Sequence, residues 1–100
     1  MVTININGLR WNIFFVSPTH PKIDDADAFG ITHFRECEIY IDNGLPAGHK
    51  RQIITHELVH ALAFSYCESI DMENEETICG FVAAHLDELK SLQKTVLKSI

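Results

Sequence analysis

Five consecutive residues, His56-Glu57-Leu58-Val59-His60, combine the residue types of a hydrolytic metal site at a spacing that a helix can use. Residues four apart lie on the same face of a helix, so the imidazoles of His56 and His60 can bind one metal ion. Glu57 follows His56 directly, where its carboxylate can hold a metal-bound water and accept the proton of that water. With six histidines in 100 residues, the pattern arises by chance in about 3% of such chains. A metal site is therefore expected only if the neighbouring residues also favour one.

The surroundings predict a helix whose histidines point inward. Residues 51–66 contain no glycine or proline and carry apolar side chains at helical spacing. On a helical wheel, the two histidines share an arc with mostly apolar residues, namely Ile53, Ala63, Phe64 and Cys67. Two inward histidines flanking a glutamate are hard to explain by packing alone. We therefore expect a metal site, and the ligand types favour Zn²⁺.

A catalytic zinc site takes three protein ligands and leaves the fourth position to water. A second helix is predicted over residues 72–92, and near its start Glu75 lies about 40° from the centre of the apolar face, against about 140° for Glu76. A carboxylate that points inward needs a cationic partner, so Glu75 is the predicted third ligand. Glu76 is the alternative, and Cys67 is a weaker one. Acidic residues also suit a helix N-terminus without any metal, through the helix dipole.

The runs ITHELVHALAFSY and ENEETICGFVAAHLDEL resemble small phage- and prophage-encoded metallopeptidase-like proteins related to the ImmA/IrrE group of gluzincin-type zincins. The resemblance covers residues 29–92. It implies a minimal zincin fold, a zinc ion held by the histidine pair and Glu75, and peptide-bond hydrolysis with Glu57 as the general base. In that group a carboxylate or amide often stands four residues after the glutamate ligand, whereas this chain has Cys79 there. The support behind the histidines therefore departs from the family pattern.

The rest of the chain predicts one α+β domain over residues 1–100, since the length suits a single core and no linker divides it. Alternating apolar and polar residues, with an Asn7-Gly8 turn between the first two segments, predict strands at residues 2–6, 9–16, 29–34 and 38–42. Residues 17–27 are predicted to be a loop. We expect a small antiparallel sheet of about three to four strands, packed on the His-Glu helix and on a second, C-terminal helix.

Two further roles are predicted near the site. By the same resemblance, the strand before the His-Glu helix, Glu38–Asp42, is a candidate edge for an extended peptide substrate. An ordinary inner strand is an equally open alternative. A donor that stabilises charge on the attacked carbonyl oxygen is sought among His85, Tyr66 and His33. For each of these three residues, a packing role is at least as good an explanation.

Composition and charge limit the classes of partner and the cellular location that we expect. The net charge is −6 and the lysines and arginines are scattered, so no nucleic-acid surface is expected. No apolar run approaches the length of a membrane span, and the N-terminus lacks the basic region of a signal peptide, which favours the cytoplasm. Three irregularly spaced cysteines do not predict a disulfide framework.

Oligomeric state and activity stay open at this point. A C-terminal apolar row can pack on the sheet or on a second copy, which allows a monomer or a small homo-oligomer; it comprises Leu89, Leu92, Val96, Leu97 and Ile100. The first functional hypothesis is a zinc-dependent endopeptidase acting on a peptide or protein substrate, which the presence of Glu57 favours. The second is a zinc-binding interaction module without proteolytic activity, which the small size of the chain favours. The third is a metal-free helical interaction protein.

Overall fold

A computed structural model describes residues 1–68, 71 and 73–100 of the protein. In chain order the strands and helices are β1 (Val2–Ile6), β2 (Leu9–Val16), α1 (Pro21–Asp24), β3 (Gly30–His33), β4 (Glu38–Asp42), α2 (Ala47–Ser65), α3 (Glu75–Ala84) and α4 (Leu86–Leu97). This arrangement confirms the predicted α+β class. All four predicted strands are present within one or two residues of their expected bounds.

The sheet has the order β1-β2-β4-β3 and is mixed. β1 and β2 form an antiparallel hairpin around Asn7 and Gly8, which adopt the positive φ values of 49° and 85° that such a two-residue turn needs. β3 and β4 are also antiparallel. β2 and β4, however, pair in parallel, because the chain crosses over through α1 and β3 before β4 enters beside β2. The expected antiparallel pairing holds for β1 with β2 and for β3 with β4, but it was wrong for this central pair.

The crossover between β2 and β3 was predicted to be an irregular loop, and it contains one short helix, α1. Pro21 lies at its first turn, where a missing N–H is harmless, and the His20 ring accepts a hydrogen bond from the backbone N–H of Lys22. Ile23 is only 3% exposed and contributes the one buried side chain of α1. The periodicity of a single turn is too short for a sequence pattern to show.

α2 is the central helix of the domain. Its buried side chains are Ile54, Glu57, Leu58, Ala61, Leu62 and Ser65. They form one core with the inner face of the sheet, where the indole of Trp11 is fully buried and its Nε1 donates a 2.8 Å hydrogen bond to Oγ of Ser65. This bond satisfies a buried polar group at the place where the sheet meets the end of α2.

The second predicted helix is two helices, separated at His85. The predicted start at Met72 lies outside the described residues, and α3 begins after Asn74, whose side chain accepts a hydrogen bond from the N–H of Thr77. His85 has φ −111° and ψ 16°, which ends α3 before α4 starts at Leu86. Its ring packs on that of Phe81, with centroids 4.5 Å apart.

α4 packs on α2 within the same chain. Leu89, Leu92 and Val96 are buried in the common core, whereas Ile100 is 53% exposed. Most of the C-terminal apolar row therefore completes the core of its own chain. Within the described residues, no helix has both the length and the apolar character required to cross a bilayer.

Candidate metal and catalytic site

The two histidines of the motif face each other on the open side of α2. Their Nε2 atoms are 3.3 Å apart, and their ring centroids are 5.0 Å apart. The side chain of His56 is 62% exposed, so the wheel prediction of an inward side chain was wrong for His56, whereas His60 is partly buried. α2 carries apolar residues around most of its circumference, and a wheel built on the apolar residues 53, 63 and 64 selects the wrong arc.

The spacing of this histidine pair fits a shared metal ion. Two nitrogens that each lie about 2.0–2.1 Å from a tetrahedral Zn²⁺ are about 3.3–3.4 Å apart. The Nε2 atoms of His56 and His60 already have this separation. It is longer than an ordinary N–H hydrogen bond, whose usual range ends at about 3.2 Å. The separation of the two nitrogens therefore matches that of two imidazole ligands on one zinc ion.

Glu57 lies between the histidine pair and the sheet. It is 6% exposed, and its Oε1 accepts a 2.9 Å hydrogen bond from the hydroxyl of Thr32 in β3. Its Oε2 lies 3.9 Å from Nε2 of His56. One carboxylate oxygen is thus fixed by the edge strand, and the other is directed toward the histidines. This is the arrangement that a general base beside a metal-bound water requires.

Gly30 allows β3 to approach α2 so closely. A Cβ atom at this position would lie 2.5 Å from Cγ2 of Ile53 and 3.3 Å from Cγ of Glu57. Any side chain here would push the edge strand away from the helix, and the Thr32–Glu57 hydrogen bond would lengthen with it. The glycine therefore serves the site through close packing, a common use of glycine within strands.

The site opens into a shallow depression of about 290 Å³ between α2 and the edge strand. Its lining consists of three residues of the motif and four from β3 and the turn after it: His56, Glu57, His60, Gly30, Ile31, Thr32 and Phe34. The predicted substrate edge, β4, is instead an inner strand between β2 and β3. That prediction was wrong, and the free sheet edge beside the motif belongs to β3.

The predicted third ligand lies apart from the histidine pair. Glu75 is the first residue of α3 and is exposed, as is its neighbour Glu76. Among the residues that the structure describes, no group of three or more His, Cys, Asp and Glu side chains is arranged to hold a metal ion. The structure thus brings together His56 and His60 but adds none of Glu75, Glu76 and Cys67 to them. The identity of the third ligand stays a prediction.

Cys67 has a structural role at the end of α2. Its φ is 55°, in the left-handed region, and its N–H bonds to the carbonyl of Phe64 at 3.0 Å. The N–H of Glu68 bonds to the carbonyl of Ala63 at 2.9 Å. These two bonds form a Schellman motif, in which glycine usually occupies the position of Cys67. Cys67 therefore has a structural role at the end of the helix that does not require a metal ion.

The three candidates for an oxyanion donor lie outside the depression. His85 directs Nε2 toward a carboxylate oxygen of Glu68, 3.3 Å away. Tyr66 donates a 2.6 Å hydrogen bond to Glu88, and this bond raises the pKa of the tyrosine. His33 lies against the ring of Tyr40 and pairs across the strands with Glu38. All three have packing or hydrogen-bonding roles, as the alternative explanation allowed.

Thr32, Gly30 and Phe34 belong to the site and were not identified from the sequence. Gly30 had a usable signal, because an isolated glycine in a strand often marks a close approach of another element. Nothing in the sequence distinguishes Thr32, because its role depends on the strand pairing that places β3 over Glu57. Phe34 follows the strand and has no distinguishing pattern.

Comparison with known proteins gives no family assignment: no family model matches the chain, and no curated protein or solved structure matches it significantly.

Proposed function

We propose that this protein is a small zinc-dependent metallopeptidase of the ImmA/IrrE-like zincin type, related to phage or prophage proteins, which hydrolyses a peptide or protein substrate. The main support is the pair of Nε2 atoms 3.3 Å apart beside a buried carboxylate. A helix that only packs has no need for two facing imidazoles on its open side. A helix that binds zinc for hydrolysis needs both groups.

The ligands in this proposal are His56, His60 and Glu75, with Glu76 or Cys67 as substitutes for the third. A bound Zn²⁺ would supply a water with a pKa of about 7 and would polarise the carbonyl oxygen of the peptide. In this proposal the third ligand comes from the start of α3 or from Cys67, just after α2. The following experiment distinguishes these sources.

Glu57 performs the proton transfers. It accepts a proton from the attacking water as the water oxygen bonds to the carbonyl carbon, and it delivers this proton to the amine nitrogen as the C–N bond breaks. The hydroxyl of Thr32 holds Oε1 of Glu57 at 2.9 Å, which leaves Oε2 free for the proton. The buried position of Glu57 keeps bulk water from competing for the same oxygen.

Substrate binding follows from the free edge of β3. An extended peptide can add to this edge by backbone hydrogen bonds, which places one of its carbonyl groups over the depression. Three free cysteines are compatible with the proposed cytoplasmic location. The net charge of −6 supports a protein or peptide partner rather than nucleic acid.

The first test is the metal content of protein purified without chelator or nickel resin. We expect about one zinc per chain in the wild type, and loss of zinc in His60→Ala and Glu75→Ala. His49→Ala is the matched control, because His49 lies in the first turns of α2, packs on Phe29 and is not part of the depression. Zinc retained in Glu75→Ala would move the third ligand to Glu76 or Cys67. A wild-type chain without zinc, even after zinc is added, would refute the proposal.

The second test separates hydrolysis from metal binding. The Glu57→Gln variant should keep its zinc. Its rate of cleavage of a proteome-derived peptide library, measured by mass spectrometry, should fall by about 10²- to 10⁴-fold. Cleavage that is unchanged in this variant would remove Glu57 from the mechanism.

A second candidate function is a zinc-binding interaction module that cuts nothing. The observation in its favour is the shallow depression, in which the side chain of His56 is 62% exposed and little surface is available to select a substrate. A wild-type protein that binds one zinc and cleaves no member of the library would favour this candidate.

A further inference from the structure

A second concave surface lies next to the histidine pair. It is a groove of about 560 Å³ lined by Leu9, Ala63, Phe64, Cys67 and Glu68. Except for Glu68 at its rim, these side chains are apolar or only weakly polar. We refer to this surface as the apolar groove.

The apolar groove exposes large hydrophobic side chains from two elements, β2 and α2. Leu9 is 36% exposed and Phe64 is 41% exposed, although Phe64 also makes an edge-to-face contact with the buried Trp11, with ring centroids 6.0 Å apart. Single exposed apolar residues are common, but here they converge on one concavity, which suits the binding of an apolar group.

Phe34 joins the apolar groove to the candidate active site. It lines the depression that contains the histidines, and it is 40% exposed. Its ring centroid lies 6.1 Å from that of His60 and 5.4 Å from that of Phe64. The apolar groove and the depression therefore form one continuous surface along α2, with the polar groups at one end and the apolar groups at the other.

The length of this surface fits an extended peptide. Side chains on one side of an extended chain recur about every 6.6–6.8 Å, twice the rise of a residue. A peptide with a carbonyl group at the histidine pair thus reaches Phe34 and Phe64 within one to three residues. A second copy of the chain is a poorer occupant, because a stable dimer buries about 800 Å² on each partner and the exposed apolar residues here are few.

We propose that the apolar groove binds one large apolar side chain, such as leucine or phenylalanine, of the substrate peptide, one to three residues from the bond that is cut. This inference rests on the proposed function, since it places the scissile carbonyl at the histidine pair. Substrate selection then comes mainly from Leu9 and Phe64, which line the apolar groove, and less from the small depression around the metal ligands.

The test measures binding to zinc-loaded protein by isothermal titration calorimetry. The probes are two capped dipeptide hydroxamates that differ only in carrying a glycine or a phenylalanine in the second position. We expect the phenylalanine probe to bind about 10- to 100-fold more tightly, as burial of one large apolar side chain predicts. Leu9→Ser and Phe64→Ser, which change two lining residues of the apolar groove, should each reduce this preference several-fold while they leave the affinity for the glycine probe nearly unchanged.

Ile100→Ser is the control, because Ile100 is a large apolar residue that is 53% exposed, more than the groove residues, and does not line the apolar groove. Zinc content and circular dichroism show whether each variant is folded. Equal affinity of the two probes would overturn the role of the apolar groove while the metal site stands. A preference that survives both groove variants would place the apolar subsite elsewhere. Failure of the wild type to bind zinc would refute the proposed function, and this inference with it.

Discussion

The two faces of α2 both carry apolar residues but have different surroundings. One face carries Ile54, Leu58, Ala61 and Leu62, each at most 1% exposed, and it packs between the sheet and α4. The other face carries His56, His60, Phe64 and Cys67 and is covered only in part, by the edge strand β3 and the turn after it. Because apolar residues occur on both faces, hydrophobicity alone does not determine which is buried. The open face keeps ligands and apolar side chains accessible, and this is the surface on which the proposed chemistry and substrate selection take place.

The largest difference between the two faces should appear in stability. Leu58→Ala removes a fully buried side chain and leaves a cavity, so the free energy of unfolding should fall by about 2–5 kcal/mol. Phe64→Ala removes a larger side chain that is 41% exposed, and the loss should be only about 1 kcal/mol. Urea unfolding followed by circular dichroism measures both. If the two losses were equal, the open face would be covered in solution, for instance by a second chain.

The approach of β3 to the open face depends on Gly30, which gives the second prediction. Gly30→Ala places a methyl group 2.5 Å from Cγ2 of Ile53, and it should lower the free energy of unfolding by about 1–3 kcal/mol through overpacking. Zinc affinity should fall as well, because the strand that positions Glu57 is displaced. Both quantities are accessible by denaturant titration and by competition with a zinc chelator.

Gly48→Ala is the matched control for that substitution. A Cβ atom on Gly48 meets no other atom within 4 Å, and the residue lies in the first turn of α2. This variant should be more stable than the wild type by about 0.4–1 kcal/mol, because alanine loses less conformational entropy on folding. Similar losses in the two variants would mean that the contact between β3 and α2 is looser than the structure describes.

The features that could be predicted from the sequence are the local ones. The hairpin around Asn7-Gly8 and the helical nature of residues 51–66 follow from turn chemistry and from the absence of helix breakers. The pairing of β2 with β4 depends on where a crossover places a strand that is distant in sequence, and nothing in either strand encodes it. The break at His85 likewise depends on contacts with Phe81 and with residues after α2, which a helical period cannot show.

The candidate site also contains residues that the sequence predicts and residues that only the fold brings together. The histidine pair and Glu57 are consecutive in one helix, so their mutual geometry follows from the motif itself. Thr32, Gly30 and Phe34 reach them only through the fold. The orientation of the site was predicted wrongly because Ile53, Ala63 and Phe64 give the open face of α2 an apolar character. If the apolar groove binds the substrate, this binding explains why Phe64 is apolar and exposed.

The smallest expected effect concerns Cys67, at the end of the open face. Its backbone is in the left-handed region as part of the Schellman motif, so Cys67→Gly should raise the free energy of unfolding by about 0.5–1 kcal/mol. The same substitution at Cys79, an equally exposed cysteine inside α3, should lower it by about 1 kcal/mol, since glycine weakens a helix interior. If the cysteine-to-glycine substitution stabilises the protein at position 67 and destabilises it at position 79, Cys67 acts as a helix cap.

Cys67 is also the weakest candidate for the third ligand, and zinc content decides between the two roles. A Cys67→Gly variant that is more stable and still holds zinc excludes Cys67 from the metal site. Loss of zinc in this variant would place a thiolate beside His56 and His60.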